Sequence, residues 1–285
     1  MTPAIPGRHR GRRSAIAACL AVAMAASLAL AALATGLGQG NEAAQTLGVT
    51  LAKDSTTVTV SAPLASGLTK VTATNNGPKP TNFLLARIRP GATLDQLLAA
   101  VNSSPAVPED LIDNITSFFG LAPGATFTTT VSLPPGDYVT TQPPDGKGAG
   151  PYTTFTVSGA AAGGTPPATV GRVQLYDYGI KAPRAIKGKG TLRLDNIGLN
   201  YHFLVALRVA NPKAAAKAIA GILSGKQPRT GPPTFIIGLV SPGTTNYVDI
   251  SLKKGTYVIA CFNADRHSAG HDHAQFGMVR ALRVK

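Results

Sequence analysis

At 285 residues the chain is long enough for a leader and two domains of ordinary size, and its 44% hydrophobic content is enough for a core. The net charge of +14 is uneven: four Arg and no acids precede residue 41, six basic against eight acidic residues occupy 41–170, and seventeen against five occupy 171–285. No recognition motif or aromatic stacking pattern accompanies the positive charge, which excludes nucleic acid as the expected partner and leaves an acidic protein or an anionic cell-envelope surface.

The amino terminus opens with RHRGRR, followed by the uncharged run Ser14 to Leu37, with Ala32-Leu33-Ala34 as a small-x-small site. Residues 1–40 therefore read as a signal peptide, or as an N-terminal membrane anchor if the 24-residue run is retained. Either way the bulk of the protein is expected outside the cytoplasm, in the extracellular space or cell envelope. Past the leader a single cysteine remains, Cys261, so no internal disulfide is expected.

Next comes a domain expected over 48–158. Period-two runs at Thr57 to Val60 and Lys70 to Thr74 read as strands. The turn Asn76-Gly77-Pro78 and the apolar strand from Asn82-Phe83 to Arg87 follow. Apolar spacing then predicts two helices, Thr93 to Val101 and Pro108 to Phe119. FTTTVSLPPGDYV and YTTFTV close the unit as strands.

The spacer 159–169, rich in Gly, Ala and Pro, leads to a second domain over 170–285 that repeats the first about 120 residues on. Strands Gly171 to Tyr176 and Gly190 to Leu194 precede Asn196-Ile197-Gly198, and His202-Phe203 opens an apolar strand at the place of Asn82-Phe83. One helix, Pro212 to Leu223, follows. Then come NYVDISLKKGTYV, the strand end GTYVIAC, and a closing MVRALRV. Two units of alternating strands with Pro/Gly turns predict an all-β protein of two tandem Greek-key β-sandwiches with short helical insertions.

The stretch from Tyr257 to Val284 gathers Cys261, His267, His271, His273 and Met278. The asparagine turn before His202, the G-x-Y-x-x-x-C strand ending at Cys261, and His273 five residues before Met278 resemble the cupredoxin (plastocyanin-like blue copper) family. The likeness is greatest to secreted bacterial members with the pattern Cys261-Phe262, Asp265, His273, Met278-Val279. The resemblance covers 171–285 in full and the first domain only in framework. It implies one copper in a type 1-like site, held by Cys261 thiolate, His202 and His273 imidazoles and a weak axial Met278. It further implies single-electron transfer with a redox partner protein, or copper carriage with the same ligands.

The twelve residues from Cys261 to His273 exceed the family's usual spacing, so His267 and His271 remain alternatives for the second imidazole. In the first domain Gln142 falls opposite Cys261, and Gly150-Pro151 opposite Gly277-Met278. That domain is expected to bind no metal. Five histidines are too few for the extra centres of copper oxidases and nitrite reductases, so no catalysis is expected. The alternative is a metal-free sandwich pair binding the cell envelope through the basic second domain.

Overall fold

The computed structural model describes residues 45–60, 63–104, 106–144, 146, 148–226, 230, 232–264 and 268–285. The expected leader and His267 lie outside them. Among the described residues no helix is long and apolar enough to cross a membrane.

The first half runs β1 (Gln45–Ala52), β2 (Ser55–Val60), β3 (Ala65–Asn75), β4 (Thr81–Ile88), α1 (Leu94–Ser103), β5 (Ile112–Leu121), β6 (Thr126–Leu133), β7 (Gly136–Thr141) and β8 (Tyr152–Ala162). The second runs β9 (Gly171–Tyr176), β10 (Gly179–Lys181), β11 (Ala185–Ile186), β12 (Lys189–Asn196), β13 (His202–Val209), α2 (Pro212–Leu223), β14 (Thr234–Val240), β15 (Thr245–Ser251), β16 (Gly255–Ala260) and β17 (Val279–Val284). The architecture is all-β, a pair of sandwiches. In the first, the layer β2-β1-β3-β6 continues into the layer β8-β7-β4-β5 through the parallel pairing of β3 with β8; in the second, β10-β9-β12-β15 packs on β11-β17-β16-β13-β14.

The cores follow from alternation. In β1, Leu47, Val49 and Leu51 point inward, and β12 contributes Leu192 and Leu194. The buried apolar residues of both sandwiches form one continuous cluster. Each sandwich also carries its helix outside the second sheet. Thr93 caps α1 with Gln96 in a reciprocal capping box, and Asn211 caps α2 ahead of Pro212.

The helix expected over Pro108 to Phe119 is corrected: after a turn at 108–111 the chain runs as β5. Its residues Ile112, Ile115, Thr116, Phe118 and Phe119 are β-branched or aromatic and favour extended backbone. Leu111, Ile112, Ile115, Phe118 and Phe119 recur at three- and four-residue intervals, which fits a helix and leaves periodicity on the wrong side. Burial decides it, because β5 pairs with β4 and is covered by the second half.

The halves are joined along both sheets. β6 pairs antiparallel with β15, with Val131 opposite Asn246 and Thr129 opposite Val248. On the other layer Asn114 and Ser241 bond reciprocally, with Ser241 N–H donating to the Asn114 carbonyl at 2.8 Å and Asn114 N–H to Ser241 Oγ at 2.7 Å. Ser117 Oγ donates to the Leu239 carbonyl at 2.8 Å, and Asn246 Nδ2 to the Ile115 carbonyl at 3.0 Å.

Strand register refines the correspondence between halves. The β4–β7 pairs from Leu84↔Thr141 to Arg87↔Tyr138 match the β13–β16 pairs from Val205↔Ala260 to Arg208↔Tyr257. The same bonds recur around Asn75 and Asn196. Each side-chain Nδ2 donates to two carbonyls, Lys79 and Leu121 in one half, Asn200 and Val240 in the other. Each Oδ1 accepts from the glycine two residues on. By this register Thr81, not Asn82, stands at the place of His202, and Asn75, not Asn76, at the place of Asn196. Gln142 keeps its place opposite Cys261: its N–H donates to the Pro151 carbonyl as that of Cys261 donates to Met278.

Candidate metal centre

Asn196 ends β12, and its side chain ties the turn 197–200 to the Val240 carbonyl at the end of β14. That tie presents His202, the first residue of β13, inward and fully buried. Cys261 follows β16 directly and is equally buried. His273 opens a short 3-10 helix, His273–Phe276, which Gly277 terminates at a φ of 115° that suits only glycine.

The long segment from Cys261 to His273 is closed at its base by backbone bonds. His273 N–H donates to the Asn263 carbonyl at 2.8 Å, Met278 N–H to the His273 carbonyl at 3.1 Å, and Cys261 N–H to the Met278 carbonyl at 3.1 Å. Asn263 Nδ2 also donates to the Tyr201 carbonyl, linking this loop to the residue before His202. The extra loop length thus leaves the position of His273 fixed.

His202, Cys261 and His273 offer ligand atoms within 4.8 Å of one another. The two Nδ1 atoms are 3.1 Å apart, and Cys261 Sγ lies 4.0 Å from that of His202 and 3.9 Å from that of His273. In the plane of these atoms, a point about 2.05 Å from each nitrogen lies about 2.3 Å from sulfur, the lengths of zinc–imidazole and zinc–thiolate bonds and close to those of neighbouring first-row metals. The donor set of two imidazoles and one thiolate, with no carboxylate, suits a borderline-soft ion.

Met278 is fully buried in the core cluster that contains Cys261, and its backbone bonds to both Cys261 and His273. His271 lies apart: it is exposed, and its Nδ1 is 3.1 Å from Gln275 Oε1.

The surroundings include groups that residue spacing did not reveal. Asp177, in the hairpin between β9 and β10, holds Oδ1 3.2 Å from His202 Nε2. The same carboxylate accepts from Leu199 N–H at 2.9 Å and Asn200 N–H at 3.1 Å. A carboxylate on the far ring nitrogen favours the Nε2–H tautomer and leaves the Nδ1 lone pair for a metal. Gly198 permits this approach, since a Cβ there would fall 2.5 Å from Asp177 Oδ1 and 2.9 Å from His202 Nε2. Tyr178, at a φ of 63°, sets its ring edge-on to His273, with centroids 5.4 Å apart. Phe203 N–H points at Cys261 Sγ at 3.5 Å. Asp177 sits 25 residues before His202, too far for a sequence pattern to connect them.

The first half has no such donors. Gln142 Nε2 lies within hydrogen-bond distance of Ala52 and Ser55 carbonyls and Thr56 Oγ1, and its Oε1 accepts from Thr81 Oγ1. Amide and hydroxyl bonds thus occupy the places that Cys261 and His202 hold in the second half.

Fold and site together define a cupredoxin-like β-sandwich pair with a buried His-Cys-His cluster. No family model matches the sequence, and no curated protein matches it. Among solved structures, the auracyanin of Roseiflexus castenholzii is 17% identical, covering 40% of this chain and 94% of its own, at a TM-score of 0.25. The copper nitrite reductase of Nitrosomonas europaea is 15% identical, covering 84% and 93%, at a TM-score of 0.23. A multi-copper oxidase of Pediococcus acidilactici is 9% identical, covering 85% and 59%, at a TM-score of 0.25. These matches correct the expectation of a chain without catalysis. Copper enzymes are among the matched structures, and an absence of catalysis is not carried further.

Proposed function

We propose that the protein binds one copper ion through His202, Cys261 and His273, with Met278 as a weak axial thioether, and transfers single electrons or carries copper. With the leader expected over 1–40, it would do so outside the cytoplasm. The observation that carries this reading is the convergence of two Nδ1 atoms and one Sγ at metal-bridging distances in a fully buried site. Copper held by two imidazoles, a thiolate and a long thioether gains or loses one electron with little change of geometry.

The chain's own residues supply the rest. Burial of all four side chains excludes water. Asp177 holds the His202 ring, and the backbone bonds among Asn263, His273 and Met278 hold the opposite wall. Phe203 N–H, directed at sulfur, stabilises negative charge there and favours the reduced ion.

The test is to add Cu(II) to the purified full chain and record the visible spectrum. An intense thiolate-to-copper charge-transfer band should saturate at one copper per chain and vanish in Cys261→Ser. A folded protein that stays colourless and takes up no stoichiometric copper would overturn the reading.

A further inference from the structure

The charge of the second half is divided between its two ends. Of its five acidic residues, Asp177, Asp195 and Asp272 stand by the metal centre, next to the Asn196 turn and His273. Asp249 lies inside β15, where it accepts from Thr191 Oγ1 at 2.8 Å, and Asp265 is outside the described residues. The opposite end gathers the turns that carry lysine. β16 runs from that end to Cys261, a rise of about 20 Å.

Two of these turns are pressed together. Leu252 N–H donates to the Gly188 carbonyl at 2.7 Å, Lys189 stands opposite Ser251, and a Cβ on Gly188 would collide with the Leu252 carbonyl. Lys187 and Lys189 are thereby held beside Lys253 and Lys254. The end of β17 joins them: Lys285 N–H donates to the Ile186 carbonyl at 3.0 Å, and Arg283 N–H to the Arg184 carbonyl at 3.1 Å. Arg208 reaches the group from β13, donating through Nη2 to the Lys254 carbonyl at 3.1 Å. All eight of these basic side chains are exposed, and among the described residues none is paired with a carboxylate.

Like charges held on one rigid end repel one another and lower stability, a cost that bound anions remove. Five of the eight are lysines, point charges that neutralise phosphate without demanding a fixed fork. No large apolar side chain is exposed here for insertion into a bilayer: Tyr176, Ile197, Leu199, Leu223 and Phe276 all lie toward the metal end. A redox protein docked on this end would stay about 20 Å from Cys261, so the surface serves attachment instead of electron exchange.

We infer that this end is a docking surface for a linear polyanion with densely spaced phosphates, laid across the two lysine turns with the metal end left facing away. Several charges engage at once and release counterions, and no shape-specific pocket is needed. The inference does not rest on the copper reading.

The experiment titrates the purified full chain with long-chain inorganic polyphosphate over a range of salt concentrations. Binding saturates, and log K falls with log salt at a slope of about −3, as about four neutralised phosphates require. Lys187→Gln, Lys189→Gln, Lys253→Gln and Lys254→Gln together weaken binding by about fivefold per lysine and about halve the slope. A control that removes the same charge elsewhere, Lys70→Gln, Lys79→Gln, Lys181→Gln and Lys226→Gln, changes affinity by less than about threefold. All the substituted side chains are exposed, and a cooperative thermal transition verifies that each variant folds. Absence of saturable binding at low salt overturns the inference, as do equal losses in the two variants. Tighter binding to phosphatidylglycerol vesicles than to polyphosphate at equal total phosphate also overturns it, and would make this end a membrane contact.

Discussion

Replacing Asp177 by alanine separates a group that tunes the metal centre from one that merely caps a loop. The carboxylate makes three contacts, to His202 Nε2 at 3.2 Å, Leu199 N–H at 2.9 Å and Asn200 N–H at 3.1 Å. Losing a carboxylate behind a ligating imidazole typically weakens metal binding by about 10–100-fold, or about 1.4–2.7 kcal/mol. Leu199 is largely exposed, so the freed backbone donors of the turn regain water, and the metal-free protein should lose only about 1–2 kcal/mol. Asp177→Asn keeps one acceptor oxygen, for either the ring or the turn, and should fall between the wild type and alanine. Copper affinity is read by competition against a chelator, and metal-free stability by denaturant titration. Unchanged copper affinity in Asp177→Ala, alongside a drop in stability, would refute the argument and reduce Asp177 to a cap for the 197–200 turn.

Gly198→Ala should act on the same contact from the other side: its Cβ would sit 2.5 Å from Asp177 Oδ1, so copper affinity should fall about as far as in Asp177→Ala although no ligand is altered. The measurement is the same chelator competition. Asn75→Ala should destabilise the chain by about 1–3 kcal/mol, because the buried Leu121 carbonyl and the half-buried Lys79 carbonyl and Gly77 N–H lose their partner, yet leave the charge-transfer band intact. Denaturant titration and the visible spectrum of one sample check both statements.

Asp195 gives a pH dependence. Burial alone would raise its pKa, but hydrogen bonds from Arg172, Thr245 and Arg193 outweigh this and hold it below the usual aspartate range. A depressed folded value contributes stability above the unfolded pKa and loses it as pH falls through the folded one. The stability gap between wild type and Asp195→Asn, about 1–2 kcal/mol at neutral pH, should therefore narrow below about pH 4. Denaturant midpoints measured from pH 7 downward would show it.

That His202, Cys261 and His273 would come together was legible in the sequence because their chemistry is rare in this chain. One cysteine beyond residue 40 and few histidines leave little freedom, and the five-residue step from His273 to Met278 has a recognisable form. Asp177 was hidden because its role depends on a hairpin folding over the asparagine turn, a tertiary event without local signature. β5 was misread because its buried face includes the polar Asn114, Thr116 and Ser117, so the apolar residues fall at helical intervals instead of alternating. The one-residue error at Asn75 and Asn82 had a similar source: adjacent Asn75-Asn76 and the shared phenylalanine of Phe83 and Phe203 offered a tempting alignment. Only inter-strand hydrogen bonds distinguish that alignment from the register observed.

The seam between β6 and β15 has a consequence for any experiment on an isolated half. These strands occupy matching positions, and Thr129 faces Val248, its counterpart 119 residues on, so the seam is locally self-complementary. A half expressed alone bares a strand edge shaped to accept a near-copy of itself. Such a fragment should pair with a second identical fragment through that edge and elute as a dimer. Nicking the 163–169 spacer of the intact chain should, by the same logic, leave the two pieces associated.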